Sequence, residues 1–229
     1  SASMPVFEGQ REQPVTGNYF VSAYPPFSAW TPAQVPALHT ALAQSEHSEP
    51  LGAYVHLPFC QKKCDYCYYL SYIAQPSAVV DRYVEAVIRE AELYAATPGI
   101  GARRVRFAYF GGGTPSTLSS EQLRRLISGL KSALCWNGIE EVTFECAPRS
   151  VRPEFLTTMR ECGVTRVSMG VQSFDNELLA LNGRVHLAED VVRAFELIRQ
   201  TGFEWVNLDL MCGLLGETEE KWRESVRRV

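Results

Sequence analysis

From Tyr54 onward the apolar positions repeat in a fixed order: a short apolar run, a loop, then a segment of 10–19 residues with its apolar positions on one helical face. The runs fall at 54–57, 105–110, 141–146, 165–171 and 205–210, and the amphipathic segments at 77–96, 120–134, 153–162, 188–201 and 219–229. Ser119 and Gln122 make a capping box for the second of these helices, and Gly163 and Gly202 stand where C-terminal caps belong. Strands alternating with helices at this spacing predict five βα units and a parallel sheet.

Within the runs the polar positions carry more information than the apolar ones. Val206, Leu208 and Leu210 share one face of a strand and Asn207 and Asp209 the other; Val142, Phe144 and Cys146 oppose Thr143 and Glu145 in the same way. Arg166, Ser168, Gly170 and Gln172 likewise oppose Val167, Met169 and Val171. Helices cover the apolar face of a parallel sheet, so the polar face must line an interior. The expectation is an α/β fold closed into a partial or full barrel with a wet pocket. Glu145, Gln172 and Asp209 stand at the C-terminal strand ends, where such architectures place their active sites.

Residues 1–50 differ in character. Pro25 and Pro26 forbid a continuous helix in a stretch rich in aromatics, which is expected to form a strap over the main domain; a short helix follows at 31–43, with Thr31 as N-cap and Pro32 at its first position. The domain organisation expected is therefore an N-terminal extension at 1–50 and a core domain at 51–229. The chain stops inside the fifth helix, so a final strand and a C-terminal part are expected to be missing.

Hydrophobic residues make up 46% of the chain without any run long enough to span a bilayer, and no basic start followed by an apolar stretch marks a secretory signal. A cytoplasmic, reducing location is expected, with no membrane partner. The net charge of −4 supplies no basic field for nucleic acid. Cys135 and Cys162 read as packing residues, as do Trp136, Trp205 and Trp222, while Cys146 and Cys212 adjoin strand ends.

Directly after the first run, Cys60, Cys64 and Cys67 put three thiols into eight residues. Disulfide pairing would leave one over, and the spacing is that of a metal loop. Zinc with His56 as a fourth ligand is one occupant; an iron–sulfur cluster held by three thiolates, with one iron open, is the other. After the second run comes Gly111-Gly112-Gly113-Thr114-Pro115, without a phosphate-loop ending, where glycines allow close approach of the backbone to a ligand.

Taken together, Cys-x3-Cys-x2-Cys after the first strand, a glycine run after the second and polar residues at later strand ends resemble the radical S-adenosylmethionine (SAM) enzymes. That resemblance implies a partial (β/α)6-type barrel in which Cys60, Cys64 and Cys67 hold a [4Fe-4S] cluster as metal ligands and catalytic residues. It implies that the open iron chelates SAM and that one-electron cleavage yields a 5′-deoxyadenosyl radical. An electron donor such as flavodoxin or ferredoxin and a small-molecule substrate are the implied partners.

The blocks Tyr54 to Cys60, Tyr109 to Ser116, Ser168 to Phe174 and Asn207 to Met211 are similar to those of the oxygen-independent coproporphyrinogen III oxidase group. This narrower resemblance implies that Tyr54, Gly112 and Glu145 contact the SAM at the cluster. It further implies that Tyr66, Gly113, Thr114, Gln172, Arg184 and Asp209 contact a second SAM. One departure bears on the reaction. The oxidase has a further cysteine two positions past the third ligand and uses it in turnover, and here that position is Tyr69. The pattern then looks most like oxidase-like radical methyltransferases and cyclopropanases, which implies methyl or methylene transfer to a small unsaturated molecule. Porphyrinogen oxidative decarboxylation and heme delivery by a chaperone are the alternatives.

Overall fold

The computed structural model describes residues 31–44 and 48–229. The chain divides into two compact units, Ser1–Ala41 and Leu42–Val229. The strap expected before residue 31 lies outside the described residues. The helix predicted at 31–43 is a single 3-10 turn, Pro32–Gln34, running into α1 (Val35–Ala43), with the Thr31 N–H donating to Gln34 Oε1 at 2.7 Å.

In the larger unit, β1 (Leu51–Leu57) is followed by the two-residue pieces β2 (Phe59–Cys60) and β3 (Tyr72–Ile73). Then come α2 (Ser77–Ala95), β4 (Val105–Gly112), α3 (Ser120–Ala133), β5 (Glu141–Cys146), α4 (Pro153–Glu161) and β6 (Arg166–Gln172). A short α5 (Asn176–Leu181) precedes α6 (Ala188–Gln200), β7 (Trp205–Leu210) and α7 (Glu219–Arg227). The five long strands form one all-parallel sheet in the order β1-β4-β5-β6-β7, so each βα unit adds its strand beside the last. This is the α/β order of a partial barrel. Among the described residues no helix is long and apolar enough to cross a membrane.

The apolar strand face packs under the helices as the alternation predicts. Val142, Phe144, Val167, Met169 and Val171 are buried there against Leu123, Leu126 and Ile127 of α3, Phe155 and Met159 of α4, and Val191, Ala194 and Ile198 of α6. Phe144 lies between two other rings, with centroids 5.4 Å from Phe110 and 6.0 Å from Phe155. Ser119 caps α3 as expected, accepting from Gln122 N while Gln122 Oε1 accepts from Ser119 N. Trp205 departs from the expectation of a packing residue: it is 57% exposed. The reason is its register. β7 is an edge strand, and the alternation that sets Val206 and Leu208 against the core leaves Trp205 on the polar face with Asn207 and Asp209, where the Arg166 guanidinium covers its ring at 5.7 Å.

The polar face holds its residues in cross-strand rows fixed by the parallel register. Tyr54 stands opposite Tyr109, Tyr109 opposite Thr143, Glu145 opposite Ser168, Ser168 opposite Asn207 and Gly170 opposite Asp209. Rows toward the C-terminal strand ends therefore gather Glu145, Ser168 and Asp209.

The glycine run works chiefly by letting the chain approach itself. β4 continues two residues past the predicted end, through Gly112, and then Gly113 N donates to Leu57 O at 2.8 Å and Thr114 N to Phe59 O at 2.7 Å. A Cβ on Gly113 would meet the Phe59 carbonyl oxygen at 2.7 Å and its nitrogen at 2.8 Å, and backbone atoms cannot move aside. One on Gly112, whose φ is +112°, would enter the His56 ring at 2.6 Å. The run thus clamps the chain between β1 and Cys60 to the end of β4. Gly113→Ala should lower stability by about 2–3 kcal/mol, the range of an overpacked backbone contact; a urea midpoint equal to that of the unsubstituted protein would show that the clamp is loose.

Candidate functional site

The cysteine loop is a closed excursion from the end of β1. Its base is pinned where Tyr72 N donates to Pro58 O at 2.7 Å and Ala74 N to Cys60 O at 3.0 Å, with Ala74 in the left-handed region at φ 47°. Inside it, Cys67 N donates to Cys64 O at 3.1 Å, and Asp65 N ties the loop to Asn182 O at 3.3 Å. Backbone bonds therefore fix the path of all three cysteines. Cys60, Cys64 and Cys67 are half-buried, free of disulfides and share a cavity of about 230 Å³ at the C-terminal strand ends. Thr114 Oγ1 lies 3.6 Å from Cys60 Sγ, and Arg184 Nη1 donates to Cys64 Sγ at 3.3 Å. Burial pushes the Cys60 thiol up, partly offset by that Thr114 contact.

Facing the thiols are the strand ends. Glu145 accepts from Tyr109 Oη at 2.8 Å and from Gly112 N at 3.1 Å; burial raises its pKa above the ordinary glutamate value, and these two hydrogen bonds oppose the rise. Asp209 Oδ2 accepts from Ser168 Oγ at 2.8 Å. Gln172 takes the left-handed backbone conformation, φ 68°, at a register shift between β6 and β7, and its carbonyl accepts from Met211 N at 3.0 Å. A non-glycine residue held there is strained, and such strain gathers at ligand sites. Arg184 reaches in from the turn after α5, donating from Nη2 to Gly170 O at 2.7 Å.

Of the residues singled out in the sequence, the three cysteines, Tyr66, Gly112, Gly113, Thr114, Glu145, Gln172, Arg184 and Asp209 all line this one cavity. Tyr54 does not. It stands lower on the polar face, its hydroxyl 3.0 Å from His56 Nδ1 and its ring stacked 6.1 Å from that of Tyr109. His56, the zinc ligand considered above, is turned to Tyr54 and is absent from the cavity wall. Among the described residues no three His, Cys, Asp or Glu side chains are gathered closely enough to hold a single metal ion. Buried Tyr66 Oη, Ser71 Oγ and Arg184 Nε lie at the same wall without a hydrogen-bond partner, so a polar ligand there would satisfy groups that are costly to leave bare.

Sequence reasoning passed over three residues that the structure brings in. Tyr109 and Ser168 set the carboxylates of Glu145 and Asp209, and their signal was present, since each shares the polar face of its own strand. Ser71 carried no signal at all, being one serine in a loop. Cys146 is buried in the cavity wall, where burial pushes its thiol up to about 12, so it stays protonated at neutral pH.

The radical SAM superfamily profile matches residues 54–229, the whole of this sheet and its loops. The chain belongs to the radical SAM superfamily. Its members use a [4Fe-4S] cluster and SAM, and the thiols, unpartnered donors and carboxylates described above are chemically suited to both. The chain is 39% identical over 176 residues to the heme chaperone HemW of Bacillus subtilis, covering 76% of this chain and 46% of that protein. It is 33% identical over 180 residues to the oxygen-independent coproporphyrinogen III oxidase of Escherichia coli, covering 79% of this chain and 39% of the oxidase. The structure of the E. coli oxidase, HemN, superposes with a TM-score of 0.76 at 32% identity, covering 84% of this chain and 44% of that one. The chain thus spans about half the length of the curated relatives it matches.

The turn that carries Arg184 into this radical SAM site is anchored by His186, which is buried and bonds through Nε2 to Val171 O at 3.0 Å. Burial, with the Arg184 charge as a second cause, lowers its pKa to about 4. The folded state therefore holds the neutral ring, and the unfolded chain binds a proton first. Stability from this site is complete above about pH 6.5 and declines as pH falls toward 4, by at most about 3 kcal/mol. His186→Gln keeps a donor but cannot titrate. Denaturant midpoints between pH 7 and 4.5 should fall less steeply for this variant than for the unsubstituted protein; parallel curves would show that His186 is protonated in the fold.

Proposed function

We propose that this chain cleaves SAM reductively, with Cys60, Cys64 and Cys67 as the cluster ligands and the facing strand ends as the SAM cradle. The observation that carries this reading is the convergence of the three thiols with Glu145, Gln172, Arg184 and Asp209 on one cavity. When bound, the cluster supplies one electron to the sulfonium of SAM. The protein's part is to bind, orient and shield. Glu145, already fixed by Tyr109 and Gly112, accepts from the ammonium of the amino-acid portion, and a cation beside it draws its raised pKa back down. Asp209, held through Oδ2 by Ser168, keeps Oδ1 for ligand hydroxyls. The unpartnered Arg184 Nε and Tyr66 Oη donate to a carboxylate or ribose oxygen, and Gln172, Gly113 and Thr114 complete the wall. Tyr54 acts on Glu145 through the Tyr109 ring and so positions rather than touches SAM.

For the overall reaction we place heme handling of the HemW type first, because the 39% identity is joined by a specific departure from the oxidase. Where the oxidase resemblance calls for a cysteine, Tyr69 stacks on Tyr68 at 4.5 Å, and its hydroxyl pKa is raised to about 12 by the hydrogen bond it donates to that neighbour and by burial. That phenol stays protonated at neutral pH and offers no thiol. Oxidative decarboxylation of a porphyrinogen is the second reading, favoured by the superposition on HemN. Methyl or methylene transfer finds no support among these relatives and ranks behind both. A reducing, cytoplasmic location suits cysteines that are free of disulfides.

Anaerobically reconstituted protein, given SAM and dithionite, should form 5′-deoxyadenosine, and Cys64→Ala should abolish it. Stoichiometric binding on titration with heme supports the first reading, loss of carboxylates from coproporphyrinogen III the second, and S-adenosylhomocysteine as a co-product would restore methyl transfer. No 5′-deoxyadenosine, with or without heme or the porphyrinogen, would overturn the proposal.

A further inference from the structure

Arg184 is a half-buried cation without a carboxylate partner. Its Nη1 donates to Cys64 Sγ at 3.3 Å and its Nη2 to Gly170 O at 2.7 Å, while Nε is buried and unpartnered. A guanidinium taken part-way out of water is costly unless an anion faces it. The two carboxylates of the cavity are engaged elsewhere, Glu145 by Tyr109 and Gly112 and Asp209 by Ser168, and among the described residues neither forms an ion pair with Arg184. Asp65, which lies against Gly183, forms none either. The group in contact with the guanidinium that can supply the negative charge is the sulfur of Cys64.

The turn that carries this cation is fastened to the cysteine loop. Arg184 N donates to Leu179 O at 2.9 Å, and the buried Asn182 side chain donates to Leu178 O and Leu215 O and accepts from Leu215 N. Asn182 O in turn accepts from the backbone of Asp65, the residue after Cys64. Gly183, at φ +75°, lets the Asp65 carboxylate come within 2.9 Å of where a Cβ would stand. The other two thiols have no such cation. Cys60 has the neutral Thr114 hydroxyl at 3.6 Å, and among the described residues no charged side chain donates to Cys67. Lys62 and Lys63 border the cavity from exposed positions, where water weakens their reach.

We infer that Arg184 sets the reduction potential of the cluster by way of Cys64, favouring the reduced state before SAM arrives. The inference rests on the cluster assignment made above and gives Arg184 a task separate from holding SAM. A [4Fe-4S] core with three thiolates is already an anion when oxidised, and reduction adds a further negative charge. Net charge and hydrogen bonds to the sulfurs set the potential of such a cluster. A cation fixed on one sulfur stabilises the more negative state more than the less negative one. The step is a one-electron reduction: a low-potential donor loses the electron, the cluster gains it, and no bond forms or breaks.

The test is a redox titration followed by EPR, on reconstituted protein without SAM, comparing the unsubstituted chain with Arg184→Gln, Arg184→Met and Arg184→Lys. Each neutral variant should lower the reduced-to-oxidised ratio at a fixed potential at least about tenfold, a downward midpoint shift of about 59 mV for one electron. Two neutral variants are compared so that misfolding of one leaves the other. Arg184→Lys, which keeps the charge, should stay within about threefold of the unsubstituted ratio. A merely structural role predicts the opposite sign, because a loosened wall admits water, and water favours the more highly charged reduced state. An unmoved or raised potential in the neutral variants would overturn the inference, as would a fall in Arg184→Lys as large as theirs. An unsubstituted chain that takes up no iron would overturn the cluster assignment itself, so the two failures are distinct.

Discussion

Everything at the functional end of this molecule depends on one close approach of backbone to backbone. The parallel ladder between β1 and β4 does not end with the sheet; it continues through Gly113 N to Leu57 O and Thr114 N to Phe59 O. Those two bonds, at 2.8 and 2.7 Å, bring the chain leading to Cys60 over the strand ends. Only a residue without a side chain fits at position 113. The same turn sends Gly112 N to Glu145, so one short stretch sets both the Cys60 thiol and a carboxylate of the facing wall. The site is accordingly a property of the sheet and not of a free loop, which is what pre-organisation of a reactive centre requires.

A second constraint is the cost of burying polar groups. Glu145, Asp209 and Arg184 each spend part of their hydrogen-bonding capacity on the protein, on Tyr109, Ser168 and Gly170 respectively. What is left over, together with Tyr66 Oη, Ser71 Oγ and Arg184 Nε, faces or borders the cavity. A closed apolar core would not tolerate such a remainder. Such a remainder suits a polar ligand that presents an ammonium, a carboxylate and hydroxyls, as the proposed SAM does.

Much of this was legible in the sequence because period-2 alternation is a strong signal in a parallel sheet with one wet face. Asn207 and Asp209 against Val206 and Leu208 were enough to predict an interior, and the interior predicted strand-end ligands. The spacing of the cysteines marked a metal loop and left zinc and an iron–sulfur cluster both open. What stayed hidden was of two kinds. β2, β3 and α5 are too short for any periodicity to show, and they are held by neighbours rather than by propensity: Asp175 caps α5, and β3 exists only because it pairs with Phe59 and Cys60. The placements of Tyr54 and Trp205 were hidden for another reason. Alternation gives the face of a strand but not the height along it, so it did not show that the row of Tyr54 lies below the cavity, and an edge strand left Trp205 uncovered.

The central claim is that three thiolates hold a cluster whose remaining iron takes SAM as its ligand. Mössbauer spectroscopy of protein reconstituted with ⁵⁷Fe, with and without SAM, addresses this directly. One iron of the four should change its isomer shift when SAM is added while the other three keep theirs. Four irons indifferent to SAM, or a preparation that takes up zinc and no iron, would contradict it.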